Sequence, residues 1–244
     1  MNNIFYSFII TFLAGMTTTL GYFAIYIKGN INKVISFFLS FAGGVMISIS
    51  IFSLIPESFS SFSNYYLFYR ILYLLLFLVL GIFISSSIKW VLSKYESNEL
   101  KKLGILSLIS IILHNIPEGI ITFMSMQYDM KIGLSLALSI ALHNIPEGIS
   151  IAIPYYYAIH KKLKVFIIVL IAGLSELLGG IITYHFFKSF ITPNTFGIMY
   201  ALIAGIMLNI SINDLLKEAF LESPKMAYIG IIVGFIIMLF SIVF

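Results

Sequence analysis

The chain contains no cysteine, which excludes disulfides, thiolate metal sites and cysteine nucleophiles. Charge is scarce too. Only 10% of the 244 residues are Asp, Glu, Lys or Arg, too few to give a soluble domain of this length its polar surface. The period-2 alternation in segments of about ten residues that a transmembrane barrel needs is absent. No basic residue precedes the first apolar segment and no convincing cleavage site follows it, so it reads as a retained helix rather than a signal peptide. What remains is 60% hydrophobic, with a mean hydropathy of +1.06. Apolar runs of about 20 residues recur along its whole length, the signature of an all-α polytopic membrane protein. In that setting the net charge of +4 reflects loop asymmetry, and no nucleic-acid partner is expected.

Eight transmembrane helices fit, near residues 4–27, 34–56, 70–91, 104–126, 132–157, 165–187, 196–213 and 226–244, forming a single transmembrane domain over 1–244. With the loops assigned alternately to two sides, Lys28, Lys33, Lys89, Lys94, Lys101, Lys102, Lys161, Lys162, Lys164, Lys217 and Lys225 fall together. Arg70, Lys131 and Lys188 fall on the other side. The richer side is cytoplasmic by the positive-inside rule, which places both termini outside in a multi-pass inner-membrane protein.

The octapeptide Leu-His-Asn-Ile-Pro-Glu-Gly-Ile occurs twice, at 113–120 and 142–149. In each copy a histidine and a glutamate stand four residues apart, His114 with Glu118 and His143 with Glu147, so each pair shares a helix face. Charge deep in an apolar helix costs roughly 2.5–3.5 kcal/mol per group on the insertion scale, and the sequence bears that cost twice. Imidazole nitrogen and carboxylate oxygen form a ligand set for a borderline transition metal. A tight turn around 127–131 makes spans four and five antiparallel. The motif centres lie about 13 residues before that turn and about 16 after it, roughly 20 and 24 Å, so the ligand faces can oppose one another at one depth.

Together these four residues supply two nitrogens and up to four oxygens, enough to close around one metal or bridge two. Asn115 and Asn144, about 100° round the helix from the histidines, offer amide oxygens to a second metal. Pro117 and Pro146 each release a backbone carbonyl, and Gly119 and Gly148 allow close helix approach. Glu176, set among small residues in Ala172-Gly-Leu-Ser-Glu-Leu-Leu-Gly-Gly180 with no nearby base, is a third candidate carboxylate. His160 and His185 are explained by interfacial positions.

A weaker repeat relates Gly44–Phe59 to Gly205–Phe220 at an offset of 161, with eight of sixteen residues identical. Span two runs outward and span seven inward, so the copies are inverted. The layout expected is 3+2+3, with spans 1–3 repeated as spans 6–8 around a midplane site. Glu57 and Glu218 then mark opposite faces. Met46 and Met207 are packing residues, or a thioether aimed at the site as a soft ligand.

The paired His-Asn-x-Pro-Glu-Gly motif, the Ala-Gly-Leu-Ser-Glu of span six and the eight spans resemble the ZIP (Zrt/Irt-like) metal transporters over essentially the whole chain. The resemblance implies uptake of divalent metal, zinc foremost with iron, manganese, cobalt or cadmium beside it, toward the cytoplasm through a midplane binuclear site. It assigns His114, Glu118, His143 and Glu147 to one metal. Asn115, Asn144 and Glu176 go to the other, with Glu118 and Glu147 bridging, and Met46 matches a contributing methionine. The metal is cargo, so no resident cofactor is expected; the lipid bilayer is the other partner, and Gly-rich faces could support a homodimer. Relatives often carry an acid where this chain has Ser53, and the histidine-rich loop between spans three and four is missing. Asn213-Asp214 stands where relatives have an acidic pair, which makes Asp214 a candidate exit ligand. An intramembrane zinc-dependent hydrolase is the rival reading, opposed by the lack of a His-Glu-x-x-His motif and by so many protein ligands; a metal sensor without flux is a third.

Overall fold

The structure, a computed structural model, describes residues 2–187 and 192–243. Lys188, assigned above to the outer side, lies outside the described residues. Every long element is helical, as chains that must satisfy their backbone inside lipid require. In chain order they are α1 (Asn2–Met16), which continues as a 3₁₀ stretch over Thr17–Tyr26, and α2 (Ile31–Ile49). A π-helical segment (Ser50–Leu54) leads from α2 into α3 (Ile55–Ser61), followed by α4 (Leu67–Tyr95), α5 (Glu99–Tyr128) and α6 (Met130–Ile159). Next come α7 (Lys162–Ile182) with a π segment over Thr183–Phe187, α8 (Pro193–Ile210) with a π segment over Ser211–Leu216, α9 (Lys217–Glu222) and α10 (Pro224–Val243). Among the described residues seven rods are long and apolar enough to cross a membrane, and α10 is apolar over the shorter stretch Pro224–Leu239.

Turn chemistry sets the ends of the rods. Asn98 accepts from the Lys101 N–H to start α5, and Thr192 and Thr195 form a reciprocal capping box at α8. Asp129 alone separates α5 from α6, its carboxylate accepting from the Lys131 N–H. His160 takes a left-handed φ of 51° and donates its N–H to the Tyr156 carbonyl at 2.7 Å, which stops α6.

The chain divides into two compact units. The first comprises α1 with its 3₁₀ extension, α5 from Leu103 onward, α6 and α7. Its apolar core joins Tyr22, Ile25, Ile111, Ile151, Val165 and Val169.

The second unit holds α2–α4 and α8–α10. Here the repeat suspected in the sequence takes physical form. The π segments begin at Ser50 and Ser211, 161 positions apart, the offset that aligns the two sequences. Ser58 donates to the Gly197 carbonyl near the start of α8, while Ser36 donates to the Ser223 carbonyl beyond α9. The α2–α3 and α8–α9 rods are therefore antiparallel, and the repeat is inverted. Each packs on its own partner through bare backbone. A side chain on Gly44 would strike the Ile231 carbonyl of α10 and one on Gly234 the Phe41 carbonyl; one on Gly205 would strike Leu78 of α4 and one on Gly81 Leu202. Phe41 and Leu202 are again 161 apart, and Leu78 and Ile231, like Gly81 and Gly234, are 153 apart.

Candidate metal centre

The octapeptides occupy the middle of α5 and α6, and both helices run on through Pro117 and Pro146. The spacing of four residues delivers what it promises, since His114 Nε2 lies 3.1 Å from Glu118 Oε1 on the same helix face. Across the hairpin His114 Nε2 lies 3.1 Å from Glu147 Oε1, and His143 Nε2 lies 2.9 Å from Glu118 Oε1. One ligand atom from each of His114, His143 and Glu147 falls within 4.8 Å of the others. All four side chains are buried, with Glu147 fully enclosed.

Helix approach at this level depends on the motif glycines. A Cβ on Gly119 would overlap the Glu176 carbonyl of α7, and one on Gly148 the Thr18 carbonyl of the 3₁₀ stretch. The two copies thus use the same glycine against different neighbours, α7 for the first and the continuation of α1 for the second. Glu176 is brought in this way to Asn144, whose Nδ2 donates to Glu176 Oε2 at 2.9 Å and to the Ala14 carbonyl at 3.0 Å. Asn115 Nδ2 donates to the Ala172 carbonyl at 2.9 Å. These donors fix both amide orientations, because a flip would set Oδ1 of each asparagine against another acceptor.

The result is an excess of acceptors. Asn115 Oδ1, Asn144 Oδ1, Glu118 Oε2, both Glu147 oxygens and Glu176 Oε1 are buried without a hydrogen-bond donor. Buried acceptors are ordinarily matched, and unmatched ones are costly. A divalent cation satisfies several at once, and imidazole nitrogens among the oxygens suit zinc and its transition-metal neighbours better than magnesium or calcium.

The other sequence candidates are carried on other elements or at the helix ends. Met46 is buried on α2 in the second unit, as is Met207 on α8. His160 closes α6, with its ring edge-on to Tyr156 and Tyr157. His185 is exposed and donates from Nδ1 to the Ile181 carbonyl at 3.0 Å. Glu57 is exposed on α3 and Glu218 half-buried on α9. Asp214 forms an ion pair with Lys89 of α4, a lysine the sequence had marked only as a loop charge. The wall that sequence reasoning missed is α1. Ala14 contributes a carbonyl, and Gly15 lets α1 lie against Gly173 and the Glu176 side chain. The Ala14-Gly15 pair in an otherwise bulky span was the available signal.

Residues 93–242 match the family model described as ZIP Zinc transporter. Similar proteins named zinc transporter ZupT include that of Chlorobium chlorochromatii, 32% identical over 99% of this chain and 98% of the relative. Those of Oceanobacillus iheyensis and Shigella dysenteriae are each 33% identical, covering 99% and 96% of this chain and 98% and 95% of the relatives.

Proposed function

The chain belongs to the ZIP zinc transporter family, and from that premise we propose that it carries divalent transition metal across the cell membrane into the cytoplasm. Zinc is the foremost cargo, with iron, manganese, cobalt and cadmium as companions. The observation that carries the reading is the set of buried, donor-less acceptor oxygens interleaved with two imidazoles inside apolar helices.

The site is read as binuclear. His114, Glu118, His143 and Glu147 hold one ion; Asn115, Asn144 and Glu176 hold the other, with Glu118 and Glu147 shared. Support comes from the anchored amide groups, which leave Asn115 Oδ1 and Asn144 Oδ1 for a cation, and from Glu176, which has one oxygen engaged and one without a donor. Met46 is kept as a soft contributor. Cargo exchanges water for imidazole and carboxylate on arrival and regains water on leaving.

Uptake of zinc into proteoliposomes tests the whole reading. Glu118→Ala and Glu147→Ala should each abolish it, and unchanged flux in both overturns the assignment. Release of two zinc ions per chain from saturated protein supports the binuclear site, and one ion argues against it. Direction and termini follow from the basic residues gathered on one side, which place both ends outside. Because the chain has no cysteine, single cysteines placed at Asn3 and Ser97 and labelled from outside whole cells test this directly, with labelling expected only at position 3.

A further inference from the structure

Five hydroxyl side chains in the first unit are buried with no hydrogen-bond partner. They are Thr11 on α1, Thr18 on its 3₁₀ extension, and Ser107, Ser110 and Thr122 on α5, none more than 3% exposed. Serine and threonine inside a helix commonly donate to the carbonyl three or four residues back. Ser40, Ser48, Ser50 and Thr183 all do so here. The five exceptions therefore need a local cause.

Their placement supplies one. On α5 the residues Ser107, Ser110, His114, Glu118 and Thr122 follow at intervals of three or four, forming one stripe about 22 Å long with the metal-ligand candidates in its middle. Along α1 and into its 3₁₀ extension, Ser7, Thr11, Ala14 and Thr18 follow at intervals of three or four, and the Ala14 carbonyl among them accepts from Asn144. Gln127 donates to Ser7 Oγ at 2.7 Å and so fixes the level of the two helices. Counting from that tie, Thr11 is four residues along α1 and Thr122 five residues back along α5, about 6 and 7.5 Å away. They stand level with each other between the tie and the metal centre. Thr18 falls near the level of His114, and Ser110 and Ser107 lie beyond it. The rings of Phe8, Phe123 and Tyr184 cluster at the Thr11–Thr122 end, with Phe8 and Phe123 centroids 4.7 Å apart.

We propose that these hydroxyls hold a file of ordered water that reaches the metal centre from both helix directions, and that an arriving hydrated divalent cation sheds its water into this file. Buried water typically satisfies polar groups of this kind, in polar sites where it finds more than one partner. The file itself rests on the hydroxyls; its part in cargo passage rests on the transporter reading above.

Two measurements on the full-length protein test it. X-ray hydroxyl-radical footprinting labels buried side chains only beside bound water. Phe123, 3% exposed, should be labelled in the wild type and lose most of its label in Thr11→Val/Thr122→Val. Zinc uptake by that variant and by Ser107→Ala/Ser110→Ala should slow about tenfold, the cost of one lost hydrogen bond in the passage barrier. Equilibrium zinc affinity in detergent should stay within twofold of wild type, and Thr122→Ser or Ser110→Thr should transport normally. An unlabelled Phe123 in the wild type overturns the water file, and wild-type uptake by both double variants overturns its role. Absence of any wild-type flux defeats the transporter reading instead, while the footprint still decides the file.

Discussion

In the second unit Lys89 meets Asp214, Asn209 donates to Ser85 at 2.8 Å and Ser86 at 3.2 Å, and Asn213 donates to Asn209 at 2.8 Å. Its helix hydroxyls mostly turn back onto their own carbonyls, with the Ser211 hydroxyl, Asn194 Oδ1 and one Asp214 oxygen left over. In the first unit two imidazoles, three carboxylates and two amides converge, and six acceptor oxygens among them lack a donor. One unit completes most of its polar groups internally; the other leaves a cluster of acceptors open around two imidazoles. A membrane helix tolerates both arrangements, but only the second kind leaves a binding free energy to be gained.

The sharpest way to break this contrast is Glu147→Ala. Zinc affinity should fall more than about 100-fold, beyond the 10–100-fold typical of groups that merely orient a ligand. Thermal stability without metal should drop little, since Glu147 Oε2 has no partner and Oε1 meets only the His114 imidazole at 3.1 Å, and only the zinc-dependent rise in Tm should vanish. Titration calorimetry and thermal scans with and without zinc read both.

The reverse result is expected of Lys89→Met. It strands a buried carboxylate and should cost about 2 kcal/mol, less than a fully buried pair because the Lys89 side chain is 35% exposed. Zinc affinity should hold, and adding Asp214→Leu should restore stability. If Lys89→Met weakens zinc binding instead, the second unit is no closed scaffold.

Gly81→Ala and Gly234→Ala sharpen the comparison inside the second unit. Each forces a Cβ onto a facing carbonyl, so each should cost about 1–2 kcal/mol in denaturation midpoint and by similar amounts, as repeat partners must. Widely different losses would count against the repeat as a physical symmetry.

The smallest effect is one of pH. The Lys101 ammonium beside Glu96 and the Asn98 N–H hold its carboxyl below the usual carboxylate value of 4.5. A lowered native value adds stability that is present above 4.5 and fades as pH falls through the lower native value. Amide exchange at Asn98 and Lys101 should accelerate across that window while exchange around His143 does not follow it.

Much of this was legible beforehand because helical periodicity is a strong code. The interval of four residues in each octapeptide fixed which side chains share a face, and the short turn fixed their depth, so His114, Glu118, His143 and Glu147 meet as expected. The repeat at offset 161 was faint in identity yet appears in the backbone as matched π segments. What escaped was information carried by main chain and by absence of side chain. The Ala14 carbonyl has no letter in a sequence, and the 3₁₀ stretch over Thr17–Tyr26 reads as ordinary helix. The matching glycines at offset 153 belong to partner helices that share little other sequence at that offset. Lys89 was counted for its sign, since nothing local reveals that Asp214 lies beside it.

The single residue between α5 and α6 makes the hairpin a ruler. One amino acid inserted between Met130 and His143 turns His143 and Glu147 about 100° away from α5 and displaces them about 1.5 Å along the axis. Substitutions over that stretch leave the half-sites facing each other, whereas any change in its length separates them. Between the turn and the motif, the number of residues is therefore guarded more strictly than their identity.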